Sequence, residues 1–366
     1  MKKVVTLALI VLISITASTS VFALETNSES VSFEQEKLKS IAEKVANSLA
    51  EIEPIRKELG FESIDFYSLY LGEPINVYET SKEGIVPLRT YFPIFCEDRL
   101  VALAIGIDNN HYQVSRSLCD EIGTFASRSI ALIYDNTSCY VFDEKQYTLI
   151  FKGGFEVEER VPLTRSNEAS EIIKTSYLSA KFPINYDPCI SKGVMQNYYS
   201  CNITGVPQKY DKICWAASWA VILNATGTVP SPVTAPGVAS SILGTNFNHT
   251  RTDSNTVSDM ILHYGLHYVY NNSVLSDTVL KNNIIAGNPI YASFLNPGGT
   301  VRHACTIYGI NMVSGYVSVM DPWGSDLNHT YSYAAYYSTL AGGYTYTNIY
   351  NSTQFILSRT ICESTS

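Results

Sequence analysis

Gln208-Lys209-Tyr210-Asp211-Lys212-Ile213-Cys214-Trp215-Ala216-Ala217-Ser218 is the stretch from which the rest of the chain is read. It sets a glutamine six residues ahead of a cysteine, and the cysteine opens a run of good helix formers, Trp215 to Leu223, broken at Thr226-Gly227. A thiol at a helix N-terminus faces backbone N–H groups without intrahelical partners and the positive end of the helix dipole, which favour the thiolate. A side-chain amide close upstream can aim its NH2 at an oxyanion forming beside the sulfur. The same residues also fit a helix with one buried, inert cysteine. What decides between the two is whether the chain supplies partners.

A thiol nucleophile needs a base that takes its proton and later returns one to a leaving group. Six histidines are available. His249 falls in a loop, His263 and His267 in or just after a helix, His111 at a turn of the first half, and His329 after the Asp321 turn. His303 differs from these. It follows the Gly298-Gly299 turn and opens the strand His303-Ala304-Cys305-Thr306-Ile307-Tyr308-Gly309. Eighteen residues later comes Met320-Asp321-Pro322-Trp323-Gly324. A strand, a hairpin turn and a returning strand would bring Asp321 back beside His303, where its carboxylate can accept the imidazole N–H and fix the tautomer. Taken alone, His303 also fits a structural histidine and Asp321 a plain Asp-Pro turn. Asp326 competes for the same role.

The order Gln208, Cys214, His303, Asp321 resembles that of the papain-like cysteine peptidases. Their nucleophile segment carries Gln followed six residues later by Cys-Trp, and their histidine motif is His-Ala before an apolar strand and Gly. The Cys214-Trp-Ala-Ala-Ser form is similar to that of bacterial members with a C39-like or staphopain-like catalytic domain, as is the compact spacing from Cys214 to His303. The family places Asn or Asp before a Trp-Gly pair, so Asp321 stands where papain has asparagine. The resemblance implies a Cys214–His303–Asp321 triad and an oxyanion hole built from Gln208 and the Cys214 backbone N–H. Trp215 and Trp323 would support it, Trp323 by shielding the His303–Asp321 contact from water. It implies a peptide or protein substrate and no cofactor. No Cys-x-x-Cys pair occurs, so no zinc or redox motif is expected. Two rivals stay open: another thiol acyl-transfer enzyme of transglutaminase or amidase type, and a secreted binding protein that keeps the fold without catalysis.

The 366 residues suffice for two domains. The chain carries a net charge of −9 and has no basic block, which argues against a nucleic-acid partner. The charge is uneven: residues 1–185 carry −8 and residues 186–366 carry −1, and all three tryptophans lie in the second part. Met1-Lys2-Lys3, the apolar run Val4–Ile15 and Val21-Phe22-Ala23 have the form of a bacterial signal peptide cut after Ala23. That predicts a secreted protein, and the run is short for a membrane anchor. Three segments follow: 1–23 a signal peptide, 24–185 an N-terminal domain, 186–366 the domain with the candidate site. By resemblance to secreted peptidase precursors, residues 24–185 would be a pro-domain acting in cis on the cleft.

Ser32 with Gln35 reads as a capping box opening a helix that stops near Gly60. Leu100–Ile107, Arg128–Tyr134, Cys139–Phe142 and Tyr147–Phe151 read as strands of a small antiparallel sheet, and Ser170–Leu178 as a helix. After Cys214, Thr228–Ser241 is Pro/Ser/Thr-rich and reads as loop. Val257, Met260, Ile261 and Tyr264 give a helix ending at Gly265, and Asp277–Ala286 a second one capped by Ser276. Ile290–Leu295, Ala304–Ile310, Tyr316–Met320 and Gln354–Arg359 are strands. Cys189–Cys201 is a plausible local disulfide, with connectivity open. The predicted class is α+β: a helical lobe, then an antiparallel β lobe, with an α+β pro-domain ahead of them.

Overall fold

The nine residues from Trp215 to Leu223 are all buried, and a helix apolar on every side belongs inside a core. In the computed structural model this helix, Cys214–Ala225, is the central element of the second half. The structure describes residues 40, 69–81, 84–106, 112–135, 138–143, 146–152, 173–178, 180–183, 197–312, 316–323, 332–339, 343–347 and 354–363. The signal-like segment, the Ser32 helix, His111, Cys189, Asp326 and His329 lie outside these residues. By their contacts, residues 38–366 form one compact unit, which holds everything described below.

The first half contributes β1 (Leu69–Gly72), β2 (Ile75–Ser81), β3 (Gly84–Cys96), β4 (Arg99–Gly106), β5 (Tyr112–Ser115), a short helix α1 (Cys119–Gly123), β6 (Ser129–Asp135), β7 (Ser138–Phe142), β8 (Tyr147–Lys152), β9 (Ser176–Tyr177) and β10 (Ala180–Pro183). Two readings are corrected here. The sheet is not purely antiparallel, because β2 runs parallel to β6 with Val77 opposite Leu132. That pair joins strands separated by three others in sequence, which local turn chemistry does not reveal. The described part of Ser170–Leu178 is extended rather than helical, with Ser176–Tyr177 paired to Ser129 and Ile130. Its Ser, Thr and Tyr suit a strand edge.

The second half runs β11 (Tyr198–Ser200), α2 (Cys214–Ala225), α3 (Ala235–Leu243), α4 (Asp253–Tyr264), β12 (Tyr268–Tyr270), α5 (Asp277–Ile285), β13 (Ile290–Leu295), β14 (Arg302–Asn311), β15 (Tyr316–Asp321), β16 (Ser332–Thr339), β17 (Gly343–Thr347) and β18 (Gln354–Glu363). Among the described residues, four helices and an antiparallel sheet, whose strands β11 and β12 come before the last helix, make the class α+β. The stretch read as loop contains α3. Its start is marked by Thr234, whose hydroxyl accepts from Gly237 N–H, with proline in the first turn. Proline is tolerated there because that N–H has no helical partner anyway. α4 starts at a Thr252 cap that accepts from Asn255 N–H and stops at Gly265 with φ 68°. Its inward face is Val257 and Met260, while Ile261 is exposed.

Strand β14 is the axis of the sheet. It pairs with β13, β15 and β11, and Thr306 donates to the Ser218 carbonyl of α2 at 3.3 Å. The two halves share this sheet: β5 pairs with β16, Ala334 opposite Ser115 and Ala335 opposite Val114. Gln113 clamps the junction, donating to Thr347 O at 2.7 Å and accepting from Thr347 N–H at 2.6 Å. One hydrophobic core accordingly includes Leu69, Leu71, Phe92 and Ile94 of the first half with Trp219, Ile307 and Val319 of the second. Among the described residues no helix is long and apolar enough to cross a membrane.

Gly309 lets Tyr198 cross β14. A Cβ there would lie 2.9 Å from Tyr198 Cζ and 3.1 Å from Ser318 Cβ, under a 2.8 Å hydrogen bond between Tyr198 Oη and Ser318 Oγ. Gly309→Ala should therefore lower stability by about 1–3 kcal/mol, as overpacking does, and urea unfolding will read the loss as a lower midpoint.

Candidate active site

Cys214 is the first residue of α2. The preceding Ile213 offers no side-chain cap, and the first turn holds no acidic residue. The positive helix end is thus left to the sulfur itself. The loop before it is held in a costly form. Lys209 and Lys212 have φ of 60° and 63°, a conformation costing about 1–2 kcal/mol for a residue with a Cβ. Gln208 pins the loop: its N–H donates to Pro322 O at 2.9 Å, and its side-chain NH2 donates to Tyr210 O at 3.0 Å. That leaves one amide hydrogen uncommitted by this bond. Pro322 follows Asp321, so the glutamine loop is tied to the carboxylate turn.

His303 and Asp321 meet because of strand register. Thr306 on β14 faces Met320 on β15. One step further along the ladder sets Asp321 opposite Cys305, on the same face as His303 two residues away. His303 Nε2 lies 2.7 Å from Asp321 Oδ1, and the same oxygen accepts from Trp323 N–H at 2.8 Å. His303 and Asp321 are 3% and 2% exposed, so water does not compete for this bond. The ring sits between Trp323, edge-on at 5.8 Å, and Phe355 at 5.7 Å. With Nε2 taken by Asp321, the other ring nitrogen is not used by that bond, and Cys214 lines the same cleft as the His303 side chain.

Burial alone would lower the His303 pKa. The Cys305 sulfur, the Asp321 carboxylate and the hydrogen bonds to Asp321 and Cys214 outweigh it and hold the ring well above its ordinary value. In contrast, burial pushes the Cys119 and Cys139 thiols up to about 12, so they stay protonated and inert. Cys214 is half-buried and lines an open cleft.

The structure thus brings Cys214, His303 and Asp321 together, with Gln208 joined to them through Pro322 and Trp323 beside the ring. Trp215 is buried and donates from Nε1 to His249 O at 2.9 Å, which anchors the loop leading to Thr250 and Arg251 at the cleft. A cleft of about 490 Å³ opens beside Cys214 and His303. Cys305 is the neighbour that sequence reasoning passed over. Two-residue alternation along the strand His303-Ala304-Cys305 was the available signal. His303, Cys305 and Asp321 offer ligand atoms within 4.8 Å of one another. The 2.7 Å His303–Asp321 distance is that of a direct hydrogen bond. Two ligands on a tetrahedral zinc would stand about 3.3 Å apart.

Asp321→Asn keeps an acceptor but removes a charge, so the His303 pKa should fall. A histidine with a raised folded pKa adds stability that is fully present below about 6.5 and is lost as pH rises through the folded value. The variant should accordingly lose stability most below about pH 6.5, with the deficit shrinking at alkaline pH. NMR titration of the ring and unfolding at several pH values will check both.

Residues 200–354 match the model of the Peptidase_C39 like family, a stretch that contains Gln208, Cys214, His303 and Asp321. No curated protein gives a significant match to the chain. This match supports a papain-like cysteine peptidase family, whose substrates are peptides or proteins.

Proposed function

We propose that this C39-like stretch is the catalytic part of a secreted cysteine endopeptidase made as a zymogen. The observation that carries the reading is the buried His303 ring, hydrogen-bonded to the Asp321 carboxylate and lining one cleft together with Cys214. Asp321 fixes the tautomer and stabilises the imidazolium that forms as His303 takes the proton of the Cys214 thiol.

The Cys214 thiolate attacks a peptide carbonyl carbon, and the carbonyl oxygen takes the negative charge. The Gln208 amide and the Cys214 backbone N–H hold that oxyanion. His303 then protonates the amine as the C–N bond breaks, leaving an acyl thioester on Cys214. Neutral His303 takes a proton from water, the hydroxide adds to the thioester, and the acid departs with return of the thiolate and imidazolium. Trp323 keeps water off the His303–Asp321 bond.

Residues 1–23 direct export and residues 24–185 serve as the pro-domain, with 186–366 as the mature enzyme. Support for a covering role comes from two contacts. Strand β5 pairs with β16, and Trp323 packs against the core formed by Ile75, Phe95 and Leu103 of the first half.

Cys214→Ala should be exported as uncleaved precursor, with no peptidase activity and no labelling by an epoxide thiol-protease probe. His303→Ala should lower kcat by at least 10³-fold, in line with the loss of a triad member. Normal maturation and labelling of the Cys214 variant would leave only a binding protein. Amide transfer to an added amine in place of hydrolysis would point to a transglutaminase.

A further inference from the structure

The cleft beside Cys214 is lined by Lys212, Arg302 and Arg359, with Asp253 set among them. Asp253 sits in the first turn of α4 and its side chain is only 6% exposed. Its oxygens are committed. Oδ2 takes Arg359 Nη1 at 3.2 Å and Arg302 Nη1 at 3.6 Å, and Oδ1 accepts from the Tyr291 hydroxyl at 3.4 Å. One buried carboxylate therefore gathers two guanidiniums and leaves an excess positive charge. The Arg302 side chain is 47% and Arg359 25% exposed, so the cations are what the cleft presents. Exposed Lys212 adds to them. Arg251, also on the rim, is already held by Asp259 through Nε at 3.0 Å and Nη2 at 2.6 Å. The N-terminal turn of α4 adds its partial positive charge on the same side.

We infer that this cleft is a substrate side-chain pocket that takes a carboxylate, an aspartate or glutamate of the peptide near the scissile bond. Each guanidinium carries five N–H donors in a fork that fits a carboxylate, and a single aspartate cannot use those of two arginines. A lysine or arginine side chain meets a net positive wall, because Asp253 is sealed behind its partners. An apolar side chain would strip water from the arginines without replacing their hydrogen bonds. The near-neutral second half, net −1 over residues 186–366, thus concentrates positive charge where the substrate enters.

The inference rests on the peptidase reading, and one experiment separates the two. The secreted protein is assayed on peptides in which each position flanking the scissile bond carries Glu, Gln, Lys or Leu in turn. At one position Glu should exceed Gln in kcat/KM on the order of tenfold, as a charge-assisted pair allows, with Lys the poorest. The gap should narrow as salt is raised, since a half-exposed pair is screened. Arg302→Glu should abolish or reverse the Glu-to-Gln ratio of kcat/KM, whatever its effect on the absolute rates, with epoxide labelling of Cys214 reporting an assembled site. Cleavage with no position favouring Glu over Gln, or a preference that neither salt nor Arg302→Glu moves, overturns the pocket alone. A wild-type protein that cuts nothing and whose Cys214 takes no epoxide label overturns the peptidase reading, and this inference with it.

Discussion

A carboxylate and an imidazole held 2.7 Å apart with almost no exposure to water are the constraint on which this structure turns. Burying either group alone is costly, and burying both is sustainable only if each has its remaining hydrogen bonds filled. Asp321 Oδ1 has a second donor in Trp323 N–H, and the His303 ring lies on the cleft that Cys214 also lines. Position is then dictated by the sheet. β14 and β15 must keep the Thr306–Met320 register at the site end, because a slip by one residue would turn His303 and Cys305 to the opposite face. Beyond a register shift between Ile307 and Gly309, the two strands resume pairing at Gly309–Ser318, beneath the Tyr198–Ser318 hydrogen bond.

The nucleophile side obeys a different constraint. α2 is buried all round, and its place is set by Trp219, which stacks on Tyr291 of β13 at 5.0 Å and meets Tyr268 edge-on at 5.4 Å. A helix so enclosed cannot rotate without breaking its packing, so Cys214 at its first position points where the core directs it. Two positive-φ lysines in the loop before it are the local cost, offset by the Gln208 bonds to Pro322 and Tyr210.

Much of this was legible in the chain, for identifiable reasons. α2 reads from an unbroken run of helix formers ending at Thr226-Gly227, and α4 from its inward residues and Gly265. β13 to β15 read from apolar alternation between clear turns. The Gln208, Cys214, His303, Asp321 order depends only on residue type and spacing. What escaped the sequence depends on partners. α3 hides in Pro/Ser/Thr-rich composition, since proline in a first turn looks like a loop residue until its Thr234 cap is seen. β16 and β17 have little apolar pattern of their own and are held by β15, β18 and β5. The parallel β2–β6 pair is non-local, and so is the pocket charge. Arg302 and Arg359 are 57 residues apart, and only Asp253 explains why they converge.

The shared sheet bears on how a pro-domain would work here. A peptide crossing the cleft must pass both the open pocket beside Cys214 and the side of His303 where Trp323 lies. Among the described residues, none of the first half lines the pocket, whereas Trp323 is packed against first-half apolar side chains. On the proposed pro-domain reading, the described contacts would place the cover on the Trp323 side of the cleft. Cutting the connecting chain would not by itself release the cover. The β5–β16 pairing, the Gln113 clamp on Thr347 and the common core of Leu71, Phe92 and Ile94 with Ile307 would all remain. Departure of the first half would bare that apolar surface and leave β16 with an unpaired edge. On the proposed zymogen reading, activation would require destruction or local displacement of β5 and its neighbours rather than a single nick, because the β5–β16 seam outlasts a cut in the connecting chain.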